Sequence, residues 1–235
     1  MAGETKQDLP IPTSSTFLMS TGVFPIKPGP NSIVNGMREA KKKGINHLYL
    51  QKGVHTVTAQ TFPHGDYVHL TEEWTITGAG RGLTIVTGFG FYVTGRKDDQ
   101  VTLKDMTVNQ TIGPGFNGYE GMSFLCERMH FDQCGREGVI ANETNGRLVN
   151  CVITQCGLSG IYSYDKGLVF VEGDETKIDK NVATGLLNRY GLEAEKSSKI
   201  QLLAPLTKES ITTVDNLGGG NWGTCDGGLI EQVAY

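Results

Sequence analysis

The 235-residue chain has no apolar run approaching the ~20 residues that a bilayer-crossing helix requires. It has no basic excess either. Its 21 Lys and Arg stand against 25 Asp and Glu, and a net charge of −4 leaves out the positive field that supplies most affinity for a phosphate backbone. The one dense basic run, Arg38 to Lys43, lies in a helical pattern and reads as a solvated helix face. Neither nucleic acid nor a membrane is therefore an expected partner. Met1-Ala2-Gly3-Glu4-Thr5-Lys6 lacks the apolar segment of a secretory leader, so the expectation is a soluble protein of the cytoplasm or of a virion. The five cysteines form no CxxC pair and are odd in number, which argues against a zinc centre and against a complete disulfide framework. The histidines, at positions 47, 55, 64, 69 and 130, show no ligand spacing, and no metal or other cofactor is expected.

What is present is glycine, 32 residues of it, between many short stretches of alternating hydrophobicity. Residues 1–30 are polar and punctuated by proline up to Lys27-Pro28-Gly29-Pro30, and read as an N-terminal arm. Asn31-Ser32 then opens a helical spacing of Ile33, Met37 and Ala40, closed by Gly44 after three lysines that suit the negative end of the helix dipole. One helix is predicted over roughly 33–43. Beyond it the period becomes two: Ile45 to Leu50, Gly53 to Val57, Val68 to Leu70, Trp74 to Ile76, Thr84 to Val86, Phe91 to Val93 and Val101 to Leu103. Strands this short cannot bury their faces as isolated hairpins.

An internal repeat resolves the problem. Phe131-Asp132-Gln133-Cys134-Gly135-Arg136-Glu137-Gly138-Val139 returns as Ile153-Thr154-Gln155-Cys156-Gly157-Leu158-Ser159-Gly160-Ile161, with Gln, Cys, Gly, Gly and an apolar residue in register. Weaker echoes lie at Leu103 to Asn109 and at Ile178 to Asn181. An offset of about 22 residues is the size of one β-helix coil stacked on the next at ~4.8 Å. The predicted fold is all-β: a single-stranded right-handed parallel β-helix over 31–235, with the helix capping its open N-terminal end. Cys134 and Cys156 would stack inward. The glycines at 135/157 and 138/160 would sit at corners, where positive φ or close packing excludes a β-carbon.

Several segments resemble a known family. The capping helix, then Leu48-Tyr49-Leu50-Gln51-Lys52-Gly53-Val54-His55, then Ile76-Thr77-Gly78-Ala79-Gly80 with Thr84-Ile85-Val86, is similar to the opening of pectin-lyase-like β-helix proteins. Asn145 to Asn150 and Gly160 to Ser163 resemble the generic coils of carbohydrate-active β-helices, phage tailspikes and related scaffolds. These are coil-packing residues, so the resemblance speaks to fold and little to function. It implies a polysaccharide or protein ligand, and a homo-oligomer such as a trimer that protects the end coil.

For the lyases the resemblance implies calcium held by clustered acids and a proton-abstracting Arg or Lys. Only Asp132 with Arg136, and Asp165 with Lys166, offer such a pair, and calcium would enter only on that reading. For hydrolases resembling polygalacturonases, only Asp98-Asp99 is matched, in a charged turn. Carbohydrate is also held by stacking platforms and hydrogen-bond donors, for which Tyr162, Tyr164, Arg189, Tyr190 and Trp222 are candidates, Trp222 alternatively plugging the last coil. The leading expectation is a non-catalytic scaffold or recognition module. The alternative is a polysaccharide lyase, glycoside hydrolase or epimerase with a divergent site.

Overall fold

A computed structural model describes residues 22–59 and 66–234; His64 and most of the expected arm lie outside the described residues. The strands pair in parallel, each lying on its counterpart in the preceding turn, so the chain winds as a right-handed parallel β-helix of three sides. The first side carries the N-terminal halves of the long strands Phe91–Lys104 and Phe116–Glu127, followed by Val139–Asn142, Ile161–Tyr164, Leu192–Glu195 and Trp222–Cys225. The second side takes the other halves of those long strands, then Asn145–Val149, Leu168–Glu172, Lys199–Leu203 and Leu229–Val233. Thr84–Gly88, Thr107–Thr111, His130–Asp132, Val152–Thr154 and Lys177–Asp179 make the third.

Strand alternation places every second residue inside. Phe91, Phe116, Val139, Ile161 and Leu192 are direct neighbours from coil to coil, and all are fully buried. Val86, Val108, Phe131, Ile153 and Ile178 form the matching column of the third side. Burying one such side chain contributes about 1.5–3 kcal/mol, so the columns supply the driving force that no single three-residue strand could.

The cysteine repeat forms a third internal column. Cys134 and Cys156 are buried on successive coils, and the same position is taken further along by Asn181 and then Asn216. Asn181 donates from Nδ2 to the Ile153 carbonyl (3.0 Å) and accepts from the Cys156 amide (3.1 Å), while Asn216 donates to the Ile178 carbonyl (2.8 Å). These amides close the backbone groups of the corner beneath them. The corner glycines owe their identity to close packing: a Cβ on Gly157 would stand 2.3 Å from the Gly135 carbonyl oxygen. Left-handed backbone falls instead on Gln133 and Gln155, at φ of 51° and 56°.

The helix is Ser32–Lys42, and it buries Ile33, Gly36 and Ala40 over the N-terminal end of the core. The solenoid begins before it, which corrects the expected arm over 1–30 at its C-terminal end. Val23–Ile26 pairs with His47–Leu50, and Gly29–Pro30 pairs with Gly53–Thr56. Pro25 is tolerated because this is an edge strand, where a missing N–H breaks no ladder.

Candidate functional site

Side chains facing outward from the first side line a groove of about 560 Å³ that runs across the strands. Its floor is one residue per coil, Tyr92, Asn117, Ile140 and Tyr162, all in direct register. Two positions along, Tyr119, Asn142 and Tyr164 make a parallel row with Glu195. Arg136, Glu137 and Arg189 stand on the other flank, where the loops enter the strands. The groove exists because residues one coil apart pile up on one face, with 22 to 25 positions between successive floor residues.

Aromatic rings dominate the groove. Tyr92 and Tyr119 stack with centroids 6.2 Å apart and planes 29° from parallel, and Tyr162 and Tyr164 lie 5.5 Å apart. The Arg189 guanidinium sits 5.0 Å over the Tyr162 ring, and the Lys196 ammonium 4.6 Å over that of Tyr164. Such cation–π contacts hold the ring faces in fixed orientations.

The carboxylates in and behind the groove differ from one another. Glu193 is buried behind Arg189, receives a hydrogen bond from the Ser159 hydroxyl, and faces the Arg189 Nη1 at 2.9 Å. Burial outweighs those partners and lifts its pKa to about 7. Glu195 accepts a hydrogen bond of 2.9 Å from the Tyr162 hydroxyl. Burial alone would raise Glu195, yet bonds from Tyr162, Cys225 and Glu193 hold it below the usual carboxylate value. The Tyr162 phenol is pushed well up, first by burial and then by its bond to Glu195.

Glu137 is 1% exposed, and its Oε2 has no hydrogen bond, its nearest charge being Arg136 Nε at 3.5 Å. Asn142 Oδ1 is likewise buried without a hydrogen-bond donor. An acceptor left this way costs about 1–3 kcal/mol of desolvation, and both stand in the wall of one groove.

Of the residues singled out in the sequence, the groove gathers Tyr162, Tyr164, Arg189 and Arg136. Tyr190 packs instead against Gly219 and Gly223, whose added Cβ atoms would each fall 2.4 Å from its ring. Trp222 pairs in register with Leu192 but is exposed at the C-terminal end, with the Lys208 ammonium 5.6 Å over its ring, and does not line the groove.

Asp132 and Arg136 do not form a pair. Asp132 lies in a polar ladder on the third side, where Asn109, Gln133, Thr154 and Gln155 occupy both of its oxygens. Asp165 and Lys166 are consecutive left-handed residues of a turn, at φ of 45° and 63°. Lys166 borders a separate cavity of about 370 Å³ with Lys97 and Glu143. Asp98 is exposed and Asp99 partly so, at the bend of their long strand.

Among the described residues no group of three or more His, Cys, Asp or Glu could hold a metal ion. His47 hydrogen-bonds Thr77, and His55 accepts from Ser32 while donating to the Gln51 carbonyl. His69 packs on the Tyr92 ring with centroids 5.2 Å apart. No described helix is long and apolar enough to cross a membrane.

Tyr92, Asn117, Tyr119, Glu137, Ile140, Asn142, Glu193 and Glu195 were not anticipated from the sequence. Counting outward positions along the 22-residue repeat would have placed Asn117, Ile140 and Tyr162 together. Nothing local distinguishes Glu137, a single acid beside an arginine-bearing turn, whereas Glu193 and Glu195 are two apart on one strand and share a face by alternation.

No family model matches this chain, and no curated protein does. Among solved structures, the chain is similar to the A-module of the Azotobacter vinelandii mannuronan C-5 epimerase AlgE4. That match has 15% identity and a TM-score of 0.30 over 86% of this chain and 90% of that one. At that score the likeness carries nothing about function, and the parallel β-helix rests on the strand pairing itself.

Proposed function

We propose that the chain is a non-catalytic recognition module that binds a carbohydrate chain lengthwise in the groove of its first side. The observation that carries this reading is the pair of buried acceptors, Glu137 Oε2 and Asn142 Oδ1, set without donors in a groove lined by four tyrosines. Sugars supply what is missing: flat apolar ring faces for the tyrosines and hydroxyl donors for the acceptors. The groove spans successive coils at ~4.8 Å spacing, which suits an extended polymer better than a compact ligand. Calorimetric titration of the full chain with a panel of oligosaccharides tests the reading. Saturable binding that weakens about tenfold in Tyr162→Ala and in Tyr164→Ala is the expected result. Binding that is absent throughout the panel, or indifferent to both substitutions, would overturn it.

A second reading, a carbohydrate-active enzyme, is favoured by one feature. Glu193 holds a proton near neutral pH beside an ionised Glu195, an arrangement suited to general acid and base roles. Glu193 lies buried behind Arg189, so recognition remains the preferred reading. Release of new reducing ends or unsaturated sugars, abolished in Glu195→Gln, would establish the enzyme instead.

A further inference from the structure

The charges around the groove bear on which sugar it takes, given the reading of the groove as a carbohydrate site. Each guanidinium there already faces a carboxylate: Arg136 faces Glu137, and Arg189 faces Glu193. The third nearby cation, Lys196, rests over the Tyr164 ring. Glu195 is bonded to the neutral Tyr162 hydroxyl, and the charges of Glu120 and Glu143 are felt at Tyr119, whose phenol they help push up after its hydrogen bond with Glu120. Glu137, 1% exposed in the groove wall, has an oxygen with no hydrogen bond.

A uronate entering beside Glu137 would bring a second carboxylate against an oxygen that has no hydrogen bond and whose nearest cation, the exposed Arg136, stands 3.5 Å away. Two carboxylates brought together without a cation between them repel. A protonated amine brings the opposite charge and three donors to a site with unused acceptors. We propose that the groove selects amino-sugar chains, whose residues carry a free ammonium group, over uronate chains, with Glu137 Oε2 and Asn142 Oδ1 accepting from the ammonium and hydroxyl groups. The identity of the sugar charge is thereby set by carboxylates that the coil repeat leaves facing outward.

The test is a set of calorimetric titrations of the full chain with three oligomers of equal length: glucosamine, glucose and galacturonate, in mildly acidic low-salt buffer. The glucosamine oligomer is expected to bind about tenfold or more tightly than the glucose oligomer, with galacturonate weakest and the preference shrinking as salt is added. Glu137→Gln is expected to reduce the preference for glucosamine by about tenfold. Arg136→Gln alters an exposed side chain and is expected to increase it, so the inference stays testable even if the buried substitution unfolds the protein. Galacturonate binding as tightly as glucosamine, or glucose binding equally well, overturns the selectivity while leaving the sugar site standing. Failure of all three oligomers to bind overturns both.

Discussion

Two outward faces of this solenoid carry polar residues at one position per coil, and they end up in opposite states. On the third side, Asn109 Nδ2 donates to Asp132 Oδ2 (3.0 Å) and Thr154 Oγ1 donates to Asp132 Oδ1 (2.9 Å), while Gln110 donates to Gln133 in the next column. Donors and acceptors alternate up the stack, and the ladder closes on itself. On the first side, Asn142 stands between Tyr119 and Tyr164, and Glu137 occupies the place that Ser159 takes one coil later. Ser159 donates a hydrogen bond to Glu193, and the acceptors of Glu137 and Asn142 are left over. In a solenoid, stacking decides whether a polar column is structural or open, because each side chain's nearest neighbour is its own counterpart in the repeat.

The largest effect expected from this contrast lies inside the molecule, where the closed state is buried. Asn181→Ala removes the partner of the Cys156 amide and the Ile153 carbonyl, and should cost about 3 kcal/mol in urea unfolding. Next is the pH response of the groove. Burial raises the folded pKa of Glu193 from the ordinary 4.5 to about 7, against the pull of Arg189 and Ser159. A folded pKa above the unfolded one means that the group's contribution to stability is complete below about 4.5 and is lost as pH rises through about 7. Stability should therefore fall on the order of 2 kcal/mol across that window, and Glu193→Gln should flatten the curve. Glu195, held low, is ionised throughout the window and adds no slope.

Tyr162→Ala should reduce oligosaccharide affinity by about 1–2 kcal/mol, roughly tenfold, measured by calorimetry. The smallest effect separates the two faces most cleanly. Asp132→Asn should cost about 1 kcal/mol of stability, with no change in sugar affinity, because its hydrogen bonds run only within the ladder. A loss of binding in Asp132→Asn would erase the distinction between closed and open columns.

The fold was legible because one motif repeated with its corner glycines and cysteines intact, and coil packing demands that regularity. The arm misled at Val23–Pro30 because prolines that would break a central ladder are harmless at its edge. Tyr162 and Tyr164, named in the sequence as stacking candidates, line the groove because they follow the second copy of the repeat, and Arg189 reaches it from the loop of the next coil. Tyr190 and Trp222 carry the same chemistry, but the Tyr190 ring fills the space over Gly219 and Gly223, and the exposed Trp222 does not line the groove. Asp132 beside Arg136 looked like an acid and base in one turn. A corner separates them, and the chain turns Asp132 onto the third side and Arg136 toward the first. The states of Glu137 and Glu193 could not be read from sequence, since what sets them apart is burial and the presence or absence of a donor on the adjoining coil.

The most direct test compares one closed column with one open column in the same titration. The parent chain, Asp132→Asn and Asn142→Ala are each titrated calorimetrically with the oligosaccharide that binds the parent best. If the open acceptor serves a ligand, Asn142→Ala weakens binding by about tenfold while Asp132→Asn leaves it unchanged. Equal losses in both variants, or none in Asn142→Ala, would contradict the assignment of the groove as the binding face.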